Sequence, residues 1–128
     1  MDNVQARQII EDYITAYNRF DVEGMTRHLH PNIEFRNFVA GEVTHAIMGI
    51  EGFKLQAREA THYFTQREQR ITGITFCGSE ATVTIDYSGT LATGLPSGLA
   101  AGEQLELQGR SLFLFEGDQI VRIEDHSQ

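Results

Sequence analysis

Apolar positions along this chain follow two periods, and the change between them divides it. In the first segment Ala6, Ile10, Tyr13, Tyr17 and Phe20 recur at alternating steps of four and three. That spacing predicts one helical stripe, with Arg7, Glu11 and Arg19 mostly off it. Asp2 or Asn3 is suited to cap its start, and Asp21 with Glu23 opens a second, shorter helix. Pro31 is expected to end that second helix, because the residue before a proline is pushed out of the helical region. Ile50, Phe53, Ala57, Ala60 and Phe64 repeat the spacing after Gly49, predicting a further helix of about four turns.

Elsewhere the period is two. Ile33, Phe35 and Asn37 share one face of a strand whose other face carries Glu34 and Arg36. Residues 42–47 read as its short partner, and four more strands are expected over 67–77, 80–92, 103–116 and 119–126. Gly78-Ser79 and Gly117-Asp118 are the signatures of tight hairpins. The glycine-rich stretch 94–102 reads as a longer connection set at a pocket mouth, and it lacks the Lys-Ser/Thr of a phosphate loop. Helices gathered in the N-terminal half and a mostly antiparallel sheet make an α+β pattern, with the helices on one side of a curved sheet.

Alternation also says which side chains look inward. Val83, Ile85 and Tyr87 form one face of their strand, and Thr82, Thr84, Asp86 and Ser88 the other. Leu105, Leu107, Gly109, Ser111, Phe113 and Phe115 oppose Glu106, Gln108, Arg110, Leu112 and Leu114. The run Ser111 to Phe115 is thus apolar on both faces, although helices cover only one side. A second copy is the economical cover, so a homodimer through the outer face at Leu112 and Leu114 is expected.

Composition narrows the partners. At 128 residues the chain suits one core, taken as a single domain over 1–128. Eighteen acids against ten bases, net −8, argue against nucleic acid and anionic membranes, since both are polyanions. The opening residues MDNVQARQII do not read as a secretion signal, and no window approaches the roughly 18 apolar residues of a membrane span. The lone Cys77 reads as a small core hydrophobe, and a cytoplasmic setting is the default.

Chemistry concentrates at the chain end. Val121, Ile123 and Asp125 share a face, so an acid continues an inward apolar stripe. A carboxyl there loses solvation, which raises its pKa toward the range useful for proton transfer; a rim position or a cap is the bland alternative. Tyr13 and Tyr17 put hydroxyls on a core-facing stripe, where packing is the commoner role. Asn37 follows Ile33 and Phe35 inward, and a buried amide needs partners for both ends. Ser111 is a weaker candidate of the same kind. Asp125, His126 and Ser127 resemble a triad in letters only, because strand neighbours face opposite ways. His28 and His30 lack the convergent spacing of metal ligands, even with Glu34; His45 and His62 read as solvated. No metal or cofactor is called for.

The run YITAYNRFDVEGMTRHLHPNIEF, the helix opening GIEGF, and YSGTLATGLPSGLAAGEQLELQGRSLFLFEGDQIVRIEDHS together resemble the SnoaL-like branch of the nuclear transport factor 2-like superfamily. The resemblance spans nearly the whole chain and implies a cone: a strongly bent sheet with three helices closing an apolar cavity. It places Tyr13 where ketosteroid isomerases carry an oxyanion-donating tyrosine, Asn37 where they carry the aspartate base, and Ser111 where they carry a protonated acid. Asp125 falls on the last-strand acid of SnoaL-type polyketide cyclases, whose usual histidine companion is here Ser111.

The resulting expectation is a cofactor-independent cyclase or isomerase of a small apolar carbonyl compound. Asp125 would transfer the proton while Tyr13 and Asn37 hold the carbonyl oxygen. Tyr17, Phe35, Phe53, Tyr87, Ser111, Phe113 and Ile123 would line the cavity. The alternative is a protein that binds a hydrophobic metabolite without chemistry. An epoxide hydrolase comes last, since its Asp–Arg–Asp relay would need Arg110 facing inward.

Overall fold

In the computed structural model, which describes residues 2–94 and 98–127, the chain runs α1 (Asn3–Asn18), α2 (Val22–Thr26), β1 (Leu29–Val39), β2 (Glu42–Met48), α3 (Ile50–Thr61), then β3 (Phe64–Cys77), β4 (Glu80–Leu91), β5 (Gln104–Glu116) and β6 (Gln119–Ser127). Residues 95–97 fall outside the described residues, and with them part of the connection expected over 94–102. Its flanks are tied together, Leu91 N donating to Glu103 O and Gly102 N to Leu91 O.

The six strands form one sheet in the order β2-β1-β6-β5-β4-β3. Every pairing is antiparallel except β1 with β6, which is parallel. Register shifts at Asn37/Phe38, Ile71/Gly73 and Leu114/Phe115 curl the sheet without closing it into a barrel. Helix α1 packs on β3, and α3 on β1, so both cover the concave side of the expected α+β cone. Between them lies a core of Ile10, Ile33, Val83, Phe113, Ile120 and Ile123, all almost fully buried. Close approach of β5 to β6 requires a glycine at 109, where a Cβ would sit 2.6 Å from the His126 carbonyl oxygen.

Local signals account for the first two helix starts. Asp2 caps α1 by accepting from Gln5 N, and Asp21 caps α2 by accepting from Gly24 N. Four expectations need correction. Pro31 does not end α2, which stops at Thr26; it lies within β1, in the irregular stretch between Leu29 and Glu34 where no ladder bond needs its missing N–H. Phe20 lies beyond α1, in the left-handed region at φ 60°, and the chain turns there. Phe64 begins β3 instead of extending α3, its ring lying where a side chain at Gly89 would have to go. Cys77 is exposed at the end of β3, not in the core. Among the described residues, no helix is long and apolar enough to cross a membrane.

Candidate functional site

Sheet register brings together residues far apart in sequence. Asn37 on β1, Asp125 on β6 and Ser111 on β5 are lateral neighbours in one row. The next row holds Phe35, Ile123 and Phe113, which floor the space beneath α1 and α3. Tyr13 comes down from α1 with its ring edge against Phe113 (5.7 Å between centroids), and Phe53 from α3 stands edge-on to Phe35 (5.9 Å).

The Ser111 hydroxyl donates to Asp125 Oδ1 at 2.6 Å. Burial pushes the Asp125 carboxyl above the ordinary aspartate range, and the Ser111 bond and the nearby His126 offset only part of that. Tyr13 is raised well above a normal tyrosine, first by burial and then by the negative charge of Asp125; it stays a protonated donor. Among the described residues the only sealed side-chain polar atom without a partner is Nη2 of Arg67. Among the described residues neither Tyr13 Oη nor Asp125 Oδ2 has a hydrogen-bond partner.

Asn37 is half-buried, and its amide donates to Thr44 Oγ1 on β2 at 2.7 Å. Its position is in line with Asp125, but one of its two donors is already taken. Tyr17 and Tyr87 meet through their hydroxyls at 3.2 Å, and burial raises both. Leu107, beside Tyr87 on the inward phase, is 37% exposed, so the described residues leave this end of the sheet partly open.

The remaining candidates are dispersed. Arg110 is exposed on the outer face, in line with His126, as alternation predicts. His126 stacks on Phe38 there (4.3 Å) and meets Glu124, away from Asp125. His28 pairs with Asp12, and His30 Nδ1 accepts from Asn32 N. Glu34 is engaged by Arg36 and Arg122. Among the described residues no three His, Cys, Asp or Glu gather where a metal could sit. Two surface hollows lie elsewhere, one between the start of α1 and the turns at Gly78 and Gly117, the other along Gln66, Glu68, Ser88 and Glu106 of β3, β4 and β5.

Arg67 is the residue that sequence reasoning missed. It is 3% exposed, its Nε donates to the Tyr17 carbonyl (2.9 Å), and its guanidinium lies over the rings of Tyr17 (3.7 Å) and Phe20 (4.6 Å). A signal existed, because Arg67 is in phase with the inward Gln69 and Ile71. A basic side chain on that phase is easily read as solvated.

Against known proteins the fold is widely shared. TsrD from Streptomyces laurentii superposes with a TM-score of 0.83 at 20% identity, covering 100% of this chain and 91% of that one. A candidate polyketide cyclase from Xanthomonas campestris pv. campestris gives 0.81 at 22% identity over 97% and 90%. A candidate SnoaL-like polyketide cyclase from Jannaschia sp. CCS1 gives 0.83 at 12% identity over 98% and 86%. At these identities the likeness speaks to fold alone, and no curated protein matches in sequence. The family model for the SnoaL-like domain matches residues 10–123, nearly the whole of the chain whose cone has just been described, and the protein belongs to that family.

Proposed function

We propose that the protein is a cofactor-independent acid/base enzyme of the cyclase or isomerase type, acting on a small apolar carbonyl compound. The observation that carries this reading is a carboxyl, Asp125, raised by desolvation, held by Ser111 in a partly buried row and close enough to Tyr13 for its charge to act on that hydroxyl. Asp125 in its ionised form takes a proton from the carbon next to the carbonyl. Tyr13 donates to the carbonyl oxygen as enolate charge develops, and Asp125 then returns the proton to the product carbon. A carboxyl with a raised pKa suits both halves of that exchange, since it is a stronger base than a solvated one and still releases its proton. The free N–H of Asn37 is a secondary donor. Phe35, Phe53, Phe113 and Ile123 supply the apolar walls, with Tyr17 and Tyr87 toward the partly open end.

Non-catalytic binding of a hydrophobic metabolite is the second reading, favoured by an amide instead of an acid at Asn37. The two separate in heavy water. A panel of cyclic ketones incubated with the protein should return with deuterium at the carbon beside the carbonyl, read as a mass increase. Bound compounds returned without label would favour the binder.

The same reading takes the chain as a homodimer through the outer sheet face, where Leu112 and Leu114 remain half-buried between polar neighbours. Replacing both, Leu112→Lys with Leu114→Lys, should convert a dimeric mass in light scattering to a monomeric one. An unchanged mass would count against it.

A further inference from the structure

The row that holds Asp125 does not end at Asn37. Register continues it onto β2, where His45 lies opposite Asn37, as Ile47 lies opposite Phe35 in the neighbouring row. Ile47 faces α3, since a side chain on Gly52 would meet its Cγ2 at 3.0 Å. His45 is two residues away on the same strand and shares that inward phase. Exposure rises across the row: Ser111 is 4% exposed, Asp125 and Asn37 are half-buried, and His45 is exposed. The row therefore climbs from the core to a rim, and His45 is the polar side chain at its outer end.

Hydrogen bonds fix that rim. Thr44 is the extra residue at the register shift beside Asn37, and its hydroxyl stands between the two side chains. Thr44 Oγ1 accepts from Asn37 Nδ2 at 2.7 Å and lies 3.2 Å from His45 Nδ1. These contacts occupy one ring nitrogen of His45 and one amide hydrogen of Asn37. Among the described residues His45 Nε2 and Asn37 Oδ1 have no hydrogen-bond partner, and no carboxylate lies within 4.0 Å of the imidazole. The proposed acid/base chemistry uses neither atom.

We propose that His45 Nε2, with the Asn37 amide beside it, is a rim subsite for an alcohol hydroxyl carried by the ligand across its apolar body from the reacting carbonyl. Two strand spacings, about 10 Å, separate His45 from Asp125, so the two polar ends of the ligand flank a body the size of a bicycle. A hydroxyl fits this rim better than an ether or a second ketone. Nε2 accepts when Nδ1 donates to Thr44 and donates when Nδ1 accepts, and only a hydroxyl answers both arrangements. This inference rests on the proposed function and defines its substrate further, as a hydroxyketone.

The test compares 6-(hydroxymethyl)-1-tetralone with 6-ethyl-1-tetralone, which differ only in a hydroxyl for a methyl, by calorimetry. The native protein should bind the alcohol about three- to tenfold more tightly, the worth of one net hydrogen bond. His45→Ala should bind the two alike, and His45→Gln, which keeps a donor and an acceptor at the side-chain tip, should retain part of the preference. His45 is exposed, so the alanine variant should fold as the native protein does. Equal affinities in the native protein, no detectable binding of the alcohol, or a preference that survives His45→Ala would each overturn the subsite. Asp125→Asn should keep the preference for the alcohol. A preference without deuterium uptake would thus remove the acid/base reading and leave the subsite, whereas uptake without a preference would do the reverse.

Discussion

Asp125→Asn should lower turnover of any active substrate by about 10²- to 10⁴-fold, the span attributable to one general acid/base group. The amide keeps the size of the carboxyl and can still meet the Ser111 hydroxyl across 2.6 Å, so binding should change little. Stability should move in the opposite direction to activity. Burial raises the Asp125 pKa above its unfolded value, so the fold favours the neutral form. That contribution is complete below the unfolded pKa and is lost as pH rises through the folded one. Asparagine has nothing to lose over that window. The melting temperature of Asp125→Asn relative to the native protein should therefore climb as pH rises from the acid side and then level off. A mutant that falls further behind with rising pH would show that the fold stabilises the carboxylate, contrary to its desolvation.

Phe113→Ala should be the most damaging single truncation for folding, with a loss of about 3–5 kcal/mol in denaturant unfolding. Phe113 is 1% exposed, lies between Ala81 and Ile123 in register, and meets the Tyr13 ring edge-on. The cavity left behind cannot collapse easily, because strands on both sides and α1 above hold its walls. Tyr13 would also lose the ring that sets its angle, so activity should drop even where the variant remains folded. Val4→Ala, on a side chain 79% exposed, should stay within about 0.5 kcal/mol as a control. A loss of that small size at Phe113 would mean that the core does not close around it.

Much of this architecture is legible from periodicity. Strand alternation put Asp125, Ser111 and Asn37 on inward phases, and the observed register makes them one row. What periodicity cannot supply is which strands become neighbours. The parallel pairing of β1 with β6 joins segments about two thirds of the chain apart, and the alignment of Asn37 with Asp125 depends on it. Boundaries failed where a local rule met a tertiary one. Phe64 kept the helical spacing of α3, yet the Gly89 position gave its ring a place on the sheet. Pro31 signalled a helix end, yet a register irregularity accommodated it within a strand. Arg67 escaped notice because its burial depends on a carbonyl at the end of α1 and on two rings, one of them presented by the left-handed turn at Phe20.

The central claim is that Asp125 is a desolvated acid available for proton transfer, and its own titration tests this most directly. Carbon-13 NMR of aspartate-labelled protein, with the Asp125 resonance assigned by its absence in Asp125→Asn, would follow the carboxyl through pH. The account predicts a midpoint clearly above the ordinary aspartate value of about 3.9. A midpoint at or below that value would contradict it.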